Sequence, residues 1–385
     1  MKVMSVFGTR PEVIKMAPLL HALKNEPLVE SLVCVTGQHR EMIDPLLTLF
    51  DIAPDYDLNV MVAGQTLNGL CAKVMAGMDD VLALEQPDIV LVHGDTTSAS
   101  ACAVAAFHRK IPIGHVEAGL RTHNLAQPYP EEMNRRIIDS ISSWLFAPTG
   151  LSRENLLREN LSGNIIVTGN TVIDALAMTC SRMNQDAEMT SDMRRKYPWI
   201  DQKKKLILVT GHRRENFGEG FDQICRALKH LAGRNDVQIV YPVHMNPAVR
   251  VGVQRELSAS RNIRLITPLN YPDFVWFMQQ AYLILTDSGG VQEEAPHLGK
   301  PVLVMRDVTE RPEAILAGTA TLVGTREESI ISEVTDLLDN SMHYSAVSGR
   351  INPYGDGCAS QRIVSALCQR AFEEFCPPMP LDAAA

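Results

Sequence analysis

The chain has 385 residues, of which 45% are hydrophobic and 21% charged, and its net charge is -9. This composition is typical of a globular protein, and the length allows two domains because single cores stop growing near ~250–300 residues. The negative charge, without any lysine- or arginine-rich block, argues against nucleic-acid binding. The eight cysteines lack a CxxC pair and are expected to be free thiols in a reducing compartment.

The N-terminal stretch "MKVMSVFGTRPEVIK" has too short an apolar run for a signal peptide. No stretch approaches the ~18–20 uninterrupted apolar residues of a membrane helix, so no membrane association is expected. We therefore predict a cytoplasmic protein.

Short β-branched runs alternate with longer helical patterns along the chain. The first block contains "KVMSVFG", "LVCVTG", "DIVLVHGD", "IPIGHVE", "WLFAPT" and "NIIVTGN". The second block contains "KLILVTGH", "VQIVYPVH", "NIRLITP", "YLILTDSGG", "PVLVMR" and "TATLVGT". Continuous apolar strands separated by helices indicate parallel sheets covered on both faces. The predicted fold class is α/β, with two doubly wound, Rossmann-like domains facing a cleft.

The break between the two blocks is rich in charge and has no strand pattern, which sets the predicted domain limits. We predict an N-terminal domain at 1–180, a linker or helix at 181–203 and a C-terminal domain at 204–356. A last helix at 357–375 is expected to pack back on the first domain, followed by a flexible tail at 376–385.

Ligands of doubly wound sheets bind outside the carboxyl ends of the strands, where this chain is rich in polar side chains. Several of these residues have ordinary structural explanations. Asp95 could cap a helix beginning at Thr96, and Glu131, which follows Pro130, could favour the positive end of a helix dipole. An exposed Arg311–Glu313 ion pair would contribute little. Their common position at one edge of each sheet favours a functional interpretation.

The stretch "ILTDSGGVQEEAPHLGKPVLV" (284–304) joins a strand to a helix through Ser288, Gly289 and Gly290. Such a turn offers backbone N–H groups and a helix N-terminus to an anion. Carboxylates follow at Glu293 and Glu294, which suggests either dipole complementation or a ligand that carries hydroxyls beside its anionic group.

Several cofactor motifs are missing from the sequence. "FGTRPE" follows the first strand where a nicotinamide-binding protein would carry G-x-G-x-x-G, and neither GxxxxGK[ST] nor HExxH occurs. We therefore predict neither a cofactor nor a catalytic metal.

The ordered motifs "FGTRPEVIKMAPL", "GQHREM", "VHGDTTS", "GHVEAGLRT", "PEEMNRR", "TGNTVIDAL", "TGHRREN", "YPVHMNP", "LTDSGGVQEEAPHLGKPVLVMRDVTERPE" and "NPYGDG" span almost the whole chain. In this series the chain resembles the non-hydrolysing UDP-N-acetylglucosamine 2-epimerases, and among them the bacterial type that serves enterobacterial common antigen and related surface polysaccharides. The resemblance implies a glycosyltransferase-B fold, a homodimer and no redox cofactor. It also implies reversible conversion of UDP-N-acetylglucosamine to UDP-N-acetylmannosamine through anti-elimination of UDP, a 2-acetamidoglucal and re-addition.

The resemblance assigns roles at matching positions. Residues tied to catalysis are Lys15, Asp95, Glu117, Glu131 and His212. Residues expected at the nucleotide are Arg10, Phe274 beside the uracil, Ser288, Gly289 and Gly290 at the diphosphate, Glu294 at the ribose and Arg311 near the phosphates. Positions linked to an activator pocket for UDP-N-acetylglucosamine are Gln38, His39, Gln65 and His244.

Two alternatives remain open on the sequence. One is a hydrolysing epimerase of the same fold, which releases N-acetylmannosamine and UDP. The other is a glycosyltransferase of the same architecture, which needs an acceptor and does not need acids on both faces of the sugar.

Overall fold

The structure is a computed structural model that describes residues 1–37, 40–62, 64–211, 218–243 and 247–377. Two compact units divide the chain. The first contains Met1–Ala175 together with Tyr354–Cys376, and the second contains Leu176–Pro353. The division falls before the predicted limit at residue 180 because one helix, Thr171–Gln185, begins in the first unit and ends in the second.

The first unit is built on a parallel seven-stranded sheet with the order β3-β2-β1-β4-β5-β6-β7. Its strands are β1 (Lys2–Phe7), β2 (Glu30–Val35), β3 (Tyr56–Asp57), β4 (Ile89–His93), β5 (Ile113–Val116), β6 (Trp144–Ala147) and β7 (Asn164–Val167). Its helices up to the unit boundary are α1 (Arg10–Lys24), α2 (Arg40–Leu49), α3 (Leu67–Glu85), α4 (Thr97–His108), α5 (Glu131–Ile141), α6 (Gly150–Arg158) and α7 (Thr171–Gln185).

The second unit has a parallel six-stranded sheet with the order β10-β9-β8-β11-β12-β13. Its strands are β8 (Lys205–Thr210), β9 (Val237–Pro242), β10 (Ile263–Ile266), β11 (Leu283–Thr286), β12 (Val302–Val304) and β13 (Ala320–Leu322). Its helices are α8 (Ala187–Lys196), α9 (Glu219–Leu231), α10 (Pro247–Leu257), α11 (Tyr271–Gln280), α12 (Gly289–Glu294), α13 (Pro312–Leu316), α14 (Glu327–Asp339) and α15 (Ser341–Ser348), and a 3₁₀ turn (Ala295–Leu298) follows α12.

The two doubly wound sheets confirm the predicted α/β fold class. Every apolar run that predicts a strand forms one. The short strand β3 was missed, because its two residues pair only with the end of β2 and leave no apolar run. Helix α4 packs closely against α3, since its sequence "TSASACAVAAFH" presents small side chains on nearly every side.

The C-terminal helix α16 (Ala359–Leu367) belongs to the first unit. The buried carboxylate of Asp174 accepts hydrogen bonds from the backbone N–H groups of Ala359 at 3.2 Å and Ser360 at 2.7 Å. Beyond the helix, Arg370 forms a two-bond ion pair with Glu26, at 2.6 and 2.7 Å. The helix ends earlier than residue 375, and an irregular segment continues the chain to Pro377. Among the described helices, none is long and apolar enough to cross a membrane.

Candidate functional site

The strand order reverses between β1 and β4 in the first sheet and between β8 and β11 in the second. Such a reversal opens a crevice at the carboxyl ends of the strands, where α/β proteins bind ligands. The loops after β1, β4 and β5 carry candidate residues of the first unit, and the loop after β11 carries candidates of the second.

In the first unit, Glu12 forms hydrogen bonds with both the loop after β1 and the loop after β4. Its carboxylate accepts hydrogen bonds from the N–H groups of Gly8 and Thr9, at 2.8 and 2.7 Å, and from the hydroxyl of Thr96 at 2.6 Å. Burial raises the pKa of Glu12, while these hydrogen bonds act in the opposite direction. Sequence reasoning did not identify this role, although Thr9 and Glu12 have the T-x-x-E spacing of a capping box.

Two of the predicted catalytic residues contact each other directly. Lys15, about one turn into α1, forms an ion pair with the Glu117 carboxylate at the end of β5. The side chains are only 13% and 8% exposed, so solvent weakens this attraction less than at a surface. Asn170 donates a further hydrogen bond to Glu117 Oε1 at 2.9 Å. Arg10 begins the same helix as Lys15.

The backbone at Glu117 has a conformation that is uncommon for a residue with a side chain. Its φ is +72°, in the left-handed region, where a non-glycine residue costs about 1–3 kcal/mol and persists only if its surroundings hold it. The N–H groups of Glu117 and Ala118 both donate to the Phe146 carbonyl at 3.1 Å. At Gly119, with φ +85°, an added Cβ would lie 2.3 Å from the Ser152 carbonyl oxygen, so only glycine fits.

His93 lies buried beside this carboxylate. Its Nε2 is 3.8 Å from Glu117 Oε2, and neither ring nitrogen has a hydrogen-bond partner among the described residues. Burial lowers the pKa of His93 to about 3, against the opposing effect of Glu117. The imidazole is therefore neutral at ordinary pH and adds no charge to the carboxylate.

Asp95 does not cap the following helix, because the Thr96 side chain accepts the hydrogen bond from Ala99 N–H. The Asp95 carboxylate instead forms an ion pair with Arg135 of α5, and Asn134 donates to the Asp95 carbonyl at 2.9 Å. Residues 134 and 135 of α5 therefore fix both the backbone and the side chain of Asp95.

Glu131 and Glu132 open helix α5 but have different environments. Glu132 is fully buried, and its carboxylate accepts from Arg136 at 3.1 Å and from the N–H of Thr122 at 3.0 Å. Glu131 is half-buried, and no hydrogen bond or ion pair of its carboxylate to another described residue is found. Glu132 therefore stabilises the preceding loop, whereas Glu131 keeps acceptor capacity for another partner.

In the second unit, Ser288 precedes α12, and Gly289 and Gly290 form its first turn. The loop is held by Thr286, whose hydroxyl accepts from Ser288 N–H at 2.9 Å, and by Gln292, whose amide donates to the Ser288 carbonyl at 3.1 Å. Among the described residues, a Cβ at Gly290 would meet only Glu294 Oε2, at 3.9 Å. The described part of the unit therefore leaves room at this position.

The two glutamates of α12 also have separate partners. Glu293 is buried and forms an ion pair with Arg311. Glu294 is 7% exposed, and its Oε1 accepts from the Tyr271 hydroxyl at 3.1 Å. Tyr271 and the half-buried Phe274 both lie in the first turn of α11.

Some predicted residues cannot be placed. His212, Gln38, His39 and His244 lie outside the described residues. Gln65 is half-buried in the loop before α3. Within the described ranges, no group of three or more His, Cys, Asp or Glu side chains is arranged to hold a metal ion.

The geometry of each unit limits its chemistry. In the first unit, Asp95 and Glu117 follow neighbouring strands, whereas Lys15 lies on α1 and Glu131 on α5. Three carboxylates and a lysine suit proton transfer and the stabilisation of developing charge. The second unit presents a helix start, an arginine and a buried carboxylate, which suit an anion and a hydroxyl-bearing group.

Comparisons with known proteins identify the family of the chain. The family model for UDP-N-acetylglucosamine 2-epimerase matches residues 21–368. The chain is 56% identical over 369 residues to the UDP-N-acetylglucosamine 2-epimerase of Escherichia coli, covering 95% of this chain and 98% of that protein.

Solved structures extend the comparison to the fold. A Neisseria meningitidis UDP-GlcNAc 2-epimerase bound to UDP-GlcNAc superposes with a TM-score of 0.88 at 48% identity, covering 96% of this chain and 100% of that chain. The Methanocaldococcus jannaschii UDP-GlcNAc 2-epimerase, in complex with UDP-GlcNAc and UDP, gives 0.78 at 33% identity, with 96% and 100% covered. The fold is accordingly of the glycosyltransferase-B type, and the chain belongs to the UDP-N-acetylglucosamine 2-epimerase family.

Proposed function

We propose that this chain reversibly converts UDP-N-acetylglucosamine to UDP-N-acetylmannosamine by inversion at C2 of the sugar. One observation carries the proposal. The Glu117 carboxylate projects from a left-handed turn, where it is paired with Lys15 and has only 8% of its side chain exposed. A carboxylate held in this way beside a cation suits a proton transfer that accompanies the departure of an anion.

The reaction proceeds by elimination and re-addition. A carboxylate removes the C2 proton, the C–H electron pair forms the C1=C2 double bond, and the C1–O bond breaks with its electrons on UDP. The product is 2-acetamidoglucal. A proton then adds to C2 on the opposite face, and a diphosphate oxygen of UDP attacks C1.

The residues of the first unit divide into two roles. Asp95, Glu117 and Glu131 supply the proton acceptors and donors, because inversion requires acid–base groups on both faces of the sugar. Lys15 and Arg10 contribute positive charge as UDP departs. His212, which falls in the chain range of the second unit, is assigned to catalysis only by its matching family position.

The second unit binds the nucleotide. The N–H groups that follow Ser288 receive the diphosphate at the start of α12, and Arg311 adds positive charge. Glu294 accepts hydrogen bonds from the ribose hydroxyls, with Tyr271 fixing one of its oxygens. Phe274 packs against the uracil. This arrangement explains why carboxylates follow an anion-binding turn.

The direct test is incubation of the purified chain with UDP-N-acetylglucosamine alone, followed by NMR analysis of the products. We expect UDP-N-acetylmannosamine to accumulate to an equilibrium mixture. Free N-acetylmannosamine with UDP would instead indicate a hydrolysing epimerase. An unchanged substrate that reacts only when an acceptor is added would indicate a glycosyltransferase.

Family resemblance supports three further proposals. The enzyme is a homodimer in solution, acts in the cytoplasm, and is activated by UDP-N-acetylglucosamine through Gln38, His39, Gln65 and His244. None of the eight cysteines, all of which lie within the described ranges, forms a disulfide, which agrees with a reducing compartment. Highly purified UDP-N-acetylmannosamine should react after a lag that traces of UDP-N-acetylglucosamine remove, and lag-free kinetics would contradict the activation. Sedimentation velocity tests the dimer.

A further inference from the structure

We propose that Asp139 is a positioning residue that keeps the Glu117 carboxylate in its reactive place by holding the left-handed turn on which Glu117 lies. The inference rests on the proposed function, since it assigns Glu117 to the epimerisation chemistry. Asp139 is on helix α5, is 1% exposed, and is not one of the residues for which the sequence suggests a role.

The contacts of Asp139 converge on the segment around Glu117. Its Oδ1 lies 2.6 Å from Nδ1 of His115, two residues before Glu117. Its Oδ2 accepts from the backbone N–H of Gly119 at 3.3 Å and lies 2.7 Å from Nη1 of Arg121. One buried carboxylate thus binds both sides of the turn.

The same network reaches the loop that carries Asp95. Nε2 of His115 is 2.7 Å from the carbonyl oxygen of Gly94, the residue before Asp95. The side chain of Arg121 is fully buried as well, and it forms a two-bond ion pair with the partly exposed Glu159, at 2.8 and 2.7 Å. Because the side chains of Arg121 and Asp139 are both buried, replacing either one leaves the other uncompensated.

Helix α5 concentrates these functions on one face. Glu131, Arg135 and Asp139 follow each other at intervals of four residues, which places them one above the other on the helix. Arg135 pairs with Asp95, and Asp139 holds the turn of Glu117. A single rigid element therefore sets the positions of all three candidate carboxylates.

The turn needs this support because Glu117 has a φ of +72°. Without Asp139, rotation toward an ordinary backbone conformation moves the carboxylate away from Lys15 and Asn170. A displacement of about 1 Å in a reacting group can lower the rate ~100-fold. The loss should therefore appear in kcat, whereas nucleotide binding by the second unit should be preserved.

The experiment compares Asp139→Asn with Glu26→Gln. The control removes another carboxylate of the first unit that is 8% exposed and ion-paired, with Arg370 as its partner, and that has no hydrogen bond or ion pair to any candidate residue within the described ranges. We expect Asp139→Asn to lower kcat about 30- to 100-fold, with KM and the Kd for UDP changed less than about threefold. Assays are run at temperatures equally far below each variant's Tm.

Two additional readouts separate positioning from general weakening. The isotope effect on kcat from C2-deuterated UDP-N-acetylglucosamine should increase in Asp139→Asn, because proton transfer becomes slower than the other steps. Asn155→Ala removes the side chain that donates to the Gly119 carbonyl at 3.0 Å and should lower kcat in the same direction. If Asp139→Asn does not fold, the kcat of Asn155→Ala tests whether the support of the turn controls the rate.

The outcomes are distinguishable. An active wild type combined with a kcat in the Asp139 and Asn155 variants no lower than in Glu26→Gln would overturn the role of Asp139 alone. A wild type that forms no UDP-N-acetylmannosamine would overturn the proposed function, and the role of Asp139 with it. A selective fall in kcat with the larger isotope effect supports the assignment.

Discussion

The first unit holds its candidate side chains by buried ion pairs and a left-handed turn, whereas the second unit offers backbone N–H groups at the start of a short helix. Both sites follow strands at the reversal of a doubly wound sheet. Proton transfer needs an oriented side chain, so local structure must be built to hold it. Binding an anion needs N–H groups, which any helix start supplies.

The glycines of the two sites show the same contrast. Gly119 supports the turn of Glu117, and an added Cβ there would lie 2.3 Å from a backbone oxygen. For a Cβ added at Gly290, the nearest atom among the described residues is an oxygen of the Glu294 carboxylate, 3.9 Å away. Glycine is therefore required by the protein in the first unit, whereas in the second unit it leaves room that a ligand can use.

The largest effect is expected from removing a proton-transfer group of the first unit. Glu117→Gln, Asp95→Asn and Glu131→Gln each keep the shape of the side chain but remove the acid–base group. We expect kcat to fall about 10²–10⁴-fold, with the Kd for UDP nearly unchanged by calorimetry. A comparable loss of UDP affinity would contradict the separate roles proposed for the two units.

A smaller effect, on binding instead of turnover, is expected in the second unit. Gly290→Asp places a negative charge where the proposed function places the diphosphate against N–H groups, and lost charge-assisted hydrogen bonds are worth roughly 1.5–3 kcal/mol each. The Kd for UDP should rise more than about 10-fold. Gly290→Ala is the matched control for added bulk, and it should fold normally because its Cβ makes no close contact with any residue that the structure describes. Unchanged UDP binding by folded Gly290→Asp would contradict the assignment.

Acid stability offers a more modest test of the first unit. Burial lowers the pKa of His93 to about 3. Below about pH 6.5 the unfolded chain therefore binds more protons than the folded chain, and the free energy of unfolding decreases as the pH is lowered. This residue alone should remove about 2 kcal/mol of unfolding free energy at pH 5 relative to pH 7.

Urea unfolding of His93→Gln at both pH values measures that contribution. The variant should lose less stability between pH 7 and pH 5 than the wild type, whatever its stability at pH 7. His108→Gln, which changes an exposed histidine at the end of α4, should keep the wild-type dependence. Parallel pH curves for wild type and His93→Gln would show that His93 is not held neutral by burial.

The strands and the loops that carry the candidate residues were predictable because apolar runs and helical patterns are local features of the sequence. The capping-box role of Glu12 was not predicted, although the T-x-x-E spacing of Thr9 and Glu12 is a local signal for it. The left-handed φ of Glu117 could not be predicted, because a glutamate gives no local signal for that conformation.

Contacts between distant segments could not be predicted in the same way. Glu293 pairs with Arg311 across 18 residues, and Asp139 reaches His115 across 24. These partners are set by how helices lie on the sheet, and many other charged residues of the chain were equally plausible partners. Sequence patterns therefore predicted the candidate residues, whereas the tertiary structure was needed to identify the contacts that hold them.

The most direct measurement of the central claim is the reaction in heavy water. If carboxylates of the first unit remove the C2 proton and return one from solvent, UDP-N-acetylmannosamine formed in D₂O must carry deuterium at C2. NMR and mass spectrometry of early product should show one deuterium at that carbon. Epimerised product that retains its C2 protium would contradict elimination and re-addition, even if the nucleotide site behaves as proposed.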